Sequence, residues 1–127
     1  QKEIMISPTQ HSLNKLRKDG YTGAVVEKWV PQTARGFKGP ILRKDVWGFG
    51  DILAVKISES AVILLQTTSR GNISHRLEKI KQIPEAGIWL ASGNRIVIQG
   101  WSQKKGSPRW ICKEVEVSFE VIEAKIP

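Results

Sequence analysis

The sequence has little cysteine and no long apolar segment. Cys112 is the only cysteine among the 127 residues, which excludes an internal disulfide and a metal site built on a pair of cysteines. No apolar run approaches the roughly 18 residues of a transmembrane helix, and no signal-peptide pattern opens the chain. We therefore expect no membrane association and a reduced, cytoplasmic setting.

What the sequence does contain is typical of an ordinary globular protein. Hydrophobic residues make up 40% and charged residues 25% of the chain, which is close to the average for folded domains. A chain of 127 residues is long enough to bury a core and short enough for one core. Residues 1–127 are expected to form a single domain.

Positive charge is concentrated in the middle of the chain. The whole sequence has a net charge of +8, but residues 28–113 carry 15 Lys and Arg against five acids, a net of +10. A basic surface of this size favours a polyanion as partner, with nucleic acid as the first candidate. The alternative is surplus lysine on a solvated face, which would indicate no ligand.

The segment 47–68 predicts two apolar strands joined by a polar turn, an antiparallel hairpin. In that pairing Asp51, at the start of the first strand, lies opposite Thr67 and close to Gln66 and Thr68. Gln66 and Thr68 share one face because strand side chains alternate. The pattern predicts an acid and an amide that meet at the open end of an apolar hairpin.

Helices and further strands are predicted on both sides of this hairpin. Ser7-Pro8 is typical of a helix start and Asp19-Gly20 of a helix end, and a strand over 21–30 and a loop over 31–44 follow. After the hairpin we expect a helix that is capped by Asn72 or Ser74, carries the apolar stripe Ile73, Leu77 and Ile80, and is broken by Pro84. A helix over 85–92 and strands over 95–101 and 109–119 are predicted to follow. This order predicts an α/β protein in which a central mixed sheet is flanked by helices.

Two groups of basic residues are candidates for nucleic-acid binding. The loop over 31–44 has no clear period and is predicted to follow a phosphate backbone, or else to be an ordinary surface loop. Residues at the start of the helix after Gln66 are predicted to contact phosphates, or else to form a solvated helix face. His75 has no ligand-type residue at a metal-binding spacing, which excludes a zinc site. The candidates are Arg35, Lys38, Arg43 and Lys44 in the loop, and Arg70, His75 and Arg76 near the helix.

A family resemblance rests on four segments and their order. They are VEKW, GFGDILA, ILLQTTS and WLASGNRIVIQGW, at 26–29, 48–54, 63–69 and 89–101. With the helix before them, they resemble the PD-(D/E)xK nuclease fold, and within it the archaeal-type Holliday junction resolvases and related phage nucleases. The resemblance implies a restriction-endonuclease-like sheet and a metal-dependent endonuclease, virus-encoded, that acts on branched DNA as a homodimer.

The same resemblance implies a metal site. The family holds Mg²⁺ or Mn²⁺ with an Asp and a Glu or Gln, and it has a lysine two residues further on. Here those ligands correspond to Asp51 and the Gln66 side-chain oxygen, with the Thr67 backbone carbonyl as a third ligand and Glu27 as a second carboxylate. Magnesium prefers such oxygen ligands and retains several waters.

The chain departs from the family pattern at two positions. Thr68 stands where the family has its lysine, and Thr9 stands near the position of an acid on the first helix. One reading is that other residues have taken these roles, Lys79 or Arg70 for the lysine and Glu27 or Asp45 for the acid. The other is a catalytically inactive module that only binds nucleic acid. The sequence predicts the endonuclease, with Asp51, Gln66, Glu27 and Lys79 as catalytic residues.

Overall fold

The computed structural model describes residues 6–31 and 41–118. Within these ranges the chain forms an α/β structure with a five-stranded mixed sheet and helices on both faces, so the predicted fold class is confirmed at this level. The elements are α1 Pro8–Lys18, β1 Thr22–Val25, β2 Lys28–Pro31, β3 Ile41–Lys44, β4 Ile52–Val55, β5 Ile63–Ser69, a 3-10 turn Arg70–Asn72, α2 Ile73–Lys81, α3 Pro84–Ala91, β6 Arg95–Gln103 and β7 Trp110–Val117.

The main sheet has the strand order β1-β4-β5-β6-β7, and β2 and β3 form a separate antiparallel pair. Strands β5 and β6 are parallel, whereas the other neighbours in the main sheet are antiparallel. A parallel pair needs a crossover connection, and here α2 and α3 provide it. The carboxyl ends of β5 and β6 therefore meet at the same edge of the sheet.

Both faces of the main sheet are covered by helices. On one face Leu13 and Leu16 of α1 pack against Leu65 and its neighbours on adjacent strands. On the other face Leu64 packs in a cluster with Ile80 of α2 and Ala86 of α3. Because β5 is covered on both faces, its apolar residues run continuously instead of alternating with polar ones.

The helix starts and ends follow the predicted signals. The Ser7 hydroxyl accepts a hydrogen bond from the backbone N–H of Gln10 at 3.2 Å, and Pro8 occupies the first turn of α1. Gly20, with φ +92°, follows the end of that helix. The predicted apolar stripe of α2 is confirmed, since its first and last members, Ile73 and Ile80, are both buried.

The predicted single strand over 21–30 is wrong. Strand β1 ends at Val25, and residues 28–31 pair with β3 in the small sheet. The backbone N–H of Val26 still donates to the carbonyl of Asp51 at 2.9 Å. Strand β4 begins at Ile52, so it offers no further backbone partner to the residues after Val26. A chain that runs past the end of its neighbouring strand must find its hydrogen bonds elsewhere.

The predicted loop over 31–44 is wrong at its carboxyl end. Residues Ile41–Lys44 form β3, paired with β2 in the register Lys28↔Lys44. The sequence of this segment has no alternation of apolar and polar residues. The strand forms because its backbone pairs with β2. Arg35 and Lys38 lie outside the described residues.

Gly100 allows α2 to start close to β6. A Cβ at this position would lie 2.5 Å from Cδ1 of Ile73 and 2.9 Å from the backbone Cα of Arg70. The absence of a side chain thus fixes how closely the start of α2 approaches the carboxyl end of β6. Among the helices of the described ranges, none combines the length and apolar character needed to cross a membrane.

Candidate functional site at the carboxyl end of strand β5

The last residues of β5 are polar and nevertheless buried. Gln66 has no exposed surface, and Thr67 and Thr68 are each 6% exposed. They follow directly on the apolar residues 63–65 of the same strand. This polar segment lies where β4 begins and where β1 ends, so three strands contribute to one region of the sheet edge.

Asp51 joins the start of β4 to the end of β5. Ile52 is paired with Leu65, and the N–H of Asp51 also donates to the Leu65 carbonyl, at 2.9 Å. Two consecutive residues thus oppose one, as in a β-bulge, which redirects a side chain. Oδ2 of Asp51 accepts the backbone N–H of Thr67 at 2.9 Å. The carboxylate takes the place of a strand carbonyl, and the predicted proximity of Asp51 and Thr67 is confirmed.

The open end of the hairpin, away from its turn, is closed to solvent. Neither Asp51 nor Gln66 has exposed surface. Helix α1 covers the strand end through Ser12, whose hydroxyl donates to Oγ1 of Thr67 at 3.0 Å. The extension of β1 at Val26 covers the start of β4. Polar groups of the protein, rather than bulk water, therefore surround the acid.

Gln66 is the exception in this network. Its Oε1 and Nε2 are both buried and have no hydrogen-bond partner among the described residues. Alternation along the strand puts its side chain on the same face as Leu64, under α2 and α3. A buried polar group without a partner costs about 1–3 kcal/mol. A ligand for the amide oxygen would remove part of that cost.

A cavity of about 370 Å³ adjoins this buried cluster. One carboxylate lines it, that of Glu27, which accepts a hydrogen bond from the Thr9 hydroxyl at 3.4 Å. Thr9 is the position at which the resemblance expects an acid, so the fold brings a carboxylate from the β1–β2 connection to that place. The cavity is lined by Pro8, Thr9, Glu27, Thr67, Thr68, Ser69, Asn72 and Arg76.

The cation of α2 that lines the cavity is Arg76. Its Nε is buried and has no partner among the described residues. Lys79, the predicted replacement for the family lysine, is exposed in the last turn of α2, and Arg70 is exposed in the 3-10 turn. Arg76 is one of the predicted phosphate contacts, and Asn72, four residues before it and therefore on the same helix face, lines the same cavity.

The remaining predicted nucleic-acid contacts lie at the surface or outside the described residues. His75 is exposed on α2, and Lys44 is exposed in β3. Lys44 lies directly opposite Lys28, which is also exposed. Like charges in directly opposite positions destabilise a strand pair, so this pair favours an anionic partner. Arg43 is the neighbour of Lys44 in β3.

Sequence reasoning missed two residues of the buried network. The Ser12 hydroxyl accepts a hydrogen bond from the indole N–H of Trp101 at 2.8 Å and donates one to Oγ1 of Thr67. Both residues are buried, with Ser12 at 0% and Trp101 at 8% exposed. The available signal was helical spacing, since Ser12 lies four residues before the buried Leu16 and so shares its face.

The donor set suits a hard cation better than a soft one. Among the described residues, no three His, Cys, Asp or Glu side chains form a group that could hold a metal ion. The oxygen groups of this region are the Asp51 carboxylate on the Thr67 N–H, the Glu27 carboxylate on the wall of the adjoining cavity, and the unpartnered amide of Gln66. Oxygen ligands supplemented by water suit Mg²⁺ or Mn²⁺, and this arrangement fits such an ion in kind.

Searches with protein-family models, against curated proteins and against solved structures gave no match to this chain. The family resemblance of the sequence therefore stays a prediction.

Proposed function

We propose that the chain is a divalent-metal-dependent DNA endonuclease with a restriction-endonuclease-like sheet, acting on branched DNA as a homodimer. Within the main sheet the elements run α1, β1, β4, β5, two helices and then β6. This is the helix, three-strand, helix and strand order on which the sequence resemblance depends. The acid stands before the second of those strands and the Gln-Thr-Thr triplet in the third.

The observation that carries the proposal is the buried Asp51–Thr67 hydrogen bond beside the unpartnered amide of Gln66. A protein gains little stability from an acid and an unsatisfied amide in its interior. Glu27 brings a second carboxylate to the adjoining cavity. A bound cation would give the amide oxygen of Gln66 the partner that it lacks among the described residues, with Asp51 and Glu27 contributing carboxylates.

The residues of the site have distinct roles in this proposal. Asp51, Gln66 and the Thr67 carbonyl would hold Mg²⁺ or Mn²⁺, with Glu27 as a further ligand. The ion supplies charge neutralisation and a water of lowered pKa. Arg76, on the wall of the cavity, is better placed than the exposed Lys79 to hold a phosphate.

Surface cations would bind the DNA backbone away from the cavity. Lys44, Arg70 and His75 are exposed, and Arg43 is the neighbour of Lys44 in β3. Arg35 and Lys38, which lie outside the described residues, remain candidates from the sequence. Such phosphate contacts orient a substrate without selecting its sequence. They predict binding that weakens steeply as the salt concentration rises.

The test is incubation with labelled linear duplex, single-stranded and four-way-junction DNA, with Mn²⁺ or with EDTA, followed by denaturing gels. We expect Mn²⁺-dependent cleavage, strongest on the junction. Asp51→Asn should reduce the cleavage rate by at least about 100-fold, since even residues behind metal ligands typically contribute 10–100-fold. Asp51→Asn is chosen because the amide oxygen can still accept the Thr67 N–H.

Glu78→Gln is the matched control, because it makes the same chemical change on the exposed face of α2. Its cleavage rate should equal that of the wild-type protein. Arg76→Gln and Lys79→Gln, compared side by side, identify the cation that replaces the family lysine. We expect the larger loss from Arg76→Gln.

The second candidate function is nucleic-acid binding by a catalytically inactive nuclease fold. The observation that favours it is Thr68, a neutral and buried side chain at the position of the family lysine. This candidate predicts salt-sensitive DNA binding that Asp51→Asn leaves unchanged or tightens, because a negative charge is removed. Junction binding without cleavage by the wild-type protein in Mn²⁺ would establish it in place of the nuclease.

A further inference from the structure

A larger cavity, of about 730 Å³, lies between α1 and the hairpin formed by β6 and β7. Its volume is within the range of roughly 300–1,000 Å³ that is usual for sites of small organic ligands. It is separate from the cavity at the end of β5, with which it shares no lining residue. Its walls combine aromatic rings with positive charge.

Three aromatic rings are in contact in one wall of this cavity. The His11 ring is stacked on Trp101, with a centroid distance of 5.0 Å and an interplanar angle of 28°, and is tilted by 39° against Trp110, also at 5.0 Å. Trp101 is 8% exposed and anchored through its indole N–H, whereas Trp110 is 38% exposed. A fixed aromatic cluster with one accessible ring, that of Trp110, can accept a further planar group.

The charge around the rings is positive. Lys18, Lys104 and Arg109 line the cavity, and so does Lys15, which is paired with the only lining carboxylate, Asp19, at 2.9 Å. Burial raises the pKa of the Cys112 thiol to about 11, with Glu114 adding to the effect. This lining residue therefore stays neutral near pH 7 and offers no reactive thiolate.

Strand pairing and hydrogen bonds link the wall of this cavity to residues of the candidate nuclease site. Trp101 is paired with Ser69 across the β5–β6 ladder, and Ser69 lines the smaller cavity. Ser12 accepts the Trp101 indole N–H and donates to Thr67, whose backbone N–H is bonded to Asp51. One bound strand running along α1 would meet both cavities, since Pro8 and Thr9 line one and Lys15 and Lys18 the other.

We infer that the larger cavity is a binding site for an unpaired nucleobase together with its phosphate, stacked on Trp110 and held by Lys18, Lys104 and Arg109. Bases stack on aromatic side chains whatever their sequence, while nearby cations hold the backbone. The inference rests on the proposed function for its nucleic-acid partner, and it adds a reason for preferring DNA with unpaired bases. The ligand can be part of a strand or a free nucleotide.

The test is equilibrium binding in EDTA, so that cleavage plays no part. Fluorescence anisotropy compares a labelled oligothymidylate with a strand of equal length and charge that lacks bases. The wild-type protein should bind the base-containing strand more tightly by roughly 5- to 150-fold, the range that stacking on one aromatic side chain supplies. Trp110→Ala should abolish that preference.

Trp47→Ala is the matched control, because Trp47 is 46% exposed and contacts only the ring of Trp89 among the aromatic pairs of the described residues. It should leave the preference intact. Arg109→Gln should weaken both strands equally and reduce the salt dependence by about 0.7 in log–log slope if it holds one phosphate. Competition by thymidine 5′-monophosphate at concentrations similar to those of the strand would support the site with a free nucleotide as its ligand.

Equal affinity of the wild-type protein for the two strands would overturn the inference, and so would a preference that survives in Trp110→Ala. Absence of cleavage in Mn²⁺ with the base preference retained would refute the nuclease proposal and leave this site standing. Cleavage without any base preference would do the reverse. Failure of every strand to bind at low salt would refute both.

Discussion

Strand β5 has two halves that are equally inaccessible and chemically opposite. Ile63, Leu64 and Leu65 are at most 3% exposed, and Gln66, Thr67 and Thr68 at most 6%. The first half is stabilised by apolar packing against helices on both faces. The second half gains from burial only where each polar atom has a partner. Thr67 has two such partners, Asp51 and Ser12, whereas Gln66 has none among the described residues.

The comparison shows that burial has a different consequence for each half of the strand. Apolar residues 63–65 hold the helices on the sheet. Leucine or valine would pack better than the polar residues at 66–68. A buried amide without a hydrogen-bond partner also lowers the stability of the fold. In the proposed nuclease, these buried polar groups would serve the metal site. The following variants separate these contributions.

The largest loss of stability is expected in the apolar half. Leu64→Ala should lower the free energy of unfolding by about 2–5 kcal/mol, because it leaves a cavity between the sheet and the helices α2 and α3. Urea denaturation followed by circular dichroism measures this value. A loss below about 1 kcal/mol would mean that the α2–α3 face is not the main core.

In the polar half, Asp51 should matter for stability chiefly as a hydrogen-bond acceptor. Asp51→Ala leaves the Thr67 N–H without its partner and should cost about 1.5–3 kcal/mol, the range for bonds to charged groups. Asp51→Asn keeps an acceptor and should cost clearly less. Urea denaturation again measures the free energy of unfolding. Equal losses in the two variants would contradict the role of this side chain as a hydrogen-bond acceptor in place of a strand carbonyl.

Ser12→Ala tests the link between α1 and the end of β5. It removes one hydroxyl that serves both Trp101 and Thr67, so two buried groups lose a partner, and we expect a loss of about 1–2 kcal/mol. Asn14→Ala is a suitable control on the exposed side of the same helix. Similar unfolding curves for the two variants would show that the serine bridge contributes nothing.

The smallest effect on stability, and of opposite sign, is expected at Gln66. Gln66→Leu removes the unpaired amide at similar volume and should raise the free energy of unfolding by about 1 kcal/mol. The same variant should lose Mn²⁺-dependent stabilisation, measured as the rise in Tm on adding the ion to each protein. A destabilised Gln66→Leu variant would mean that the amide has a structural partner after all.

Sequence patterns anticipated the parts of this fold that depend on local chemistry. Ser7-Pro8 and Gly20 mark the limits of α1, and the spacing of Ile73 and Ile80 marks the buried face of α2. Counting across the hairpin predicted that Asp51 lies near Thr67, and the two residues are in contact. The ladder is shifted by one residue from the predicted register, with Ile52 paired with Leu65, so the contact is made by the Asp51 side chain and the Thr67 N–H. In each case the determining contacts lie within a few residues or within one hairpin.

The errors arise where an element depends on a partner that leaves no pattern in its own sequence. Where β1 ends depends on where β4 begins, and the formation of β3 depends on the preceding strand β2. The strand end at Thr67 is covered by α1, through Ser12, and the Gln66 face of the sheet is covered by α2 and α3. Arg76 reaches the smaller cavity because the start of α2 packs close to Gly100 on β6.

The sequence by itself determined the helices and most strands, the basic character of the chain and the meeting of an acid with the end of β5, since these follow from composition, periodicity and local pairing. It also named Glu27 and Arg76 as candidates. Tertiary structure alone decided that Glu27 and Arg76 line one cavity, that Asp51 is closed to solvent, and that His11 contacts two tryptophans. The physical reason is that helix packing on a sheet brings together side chains whose separation in sequence carries no signal of their contact.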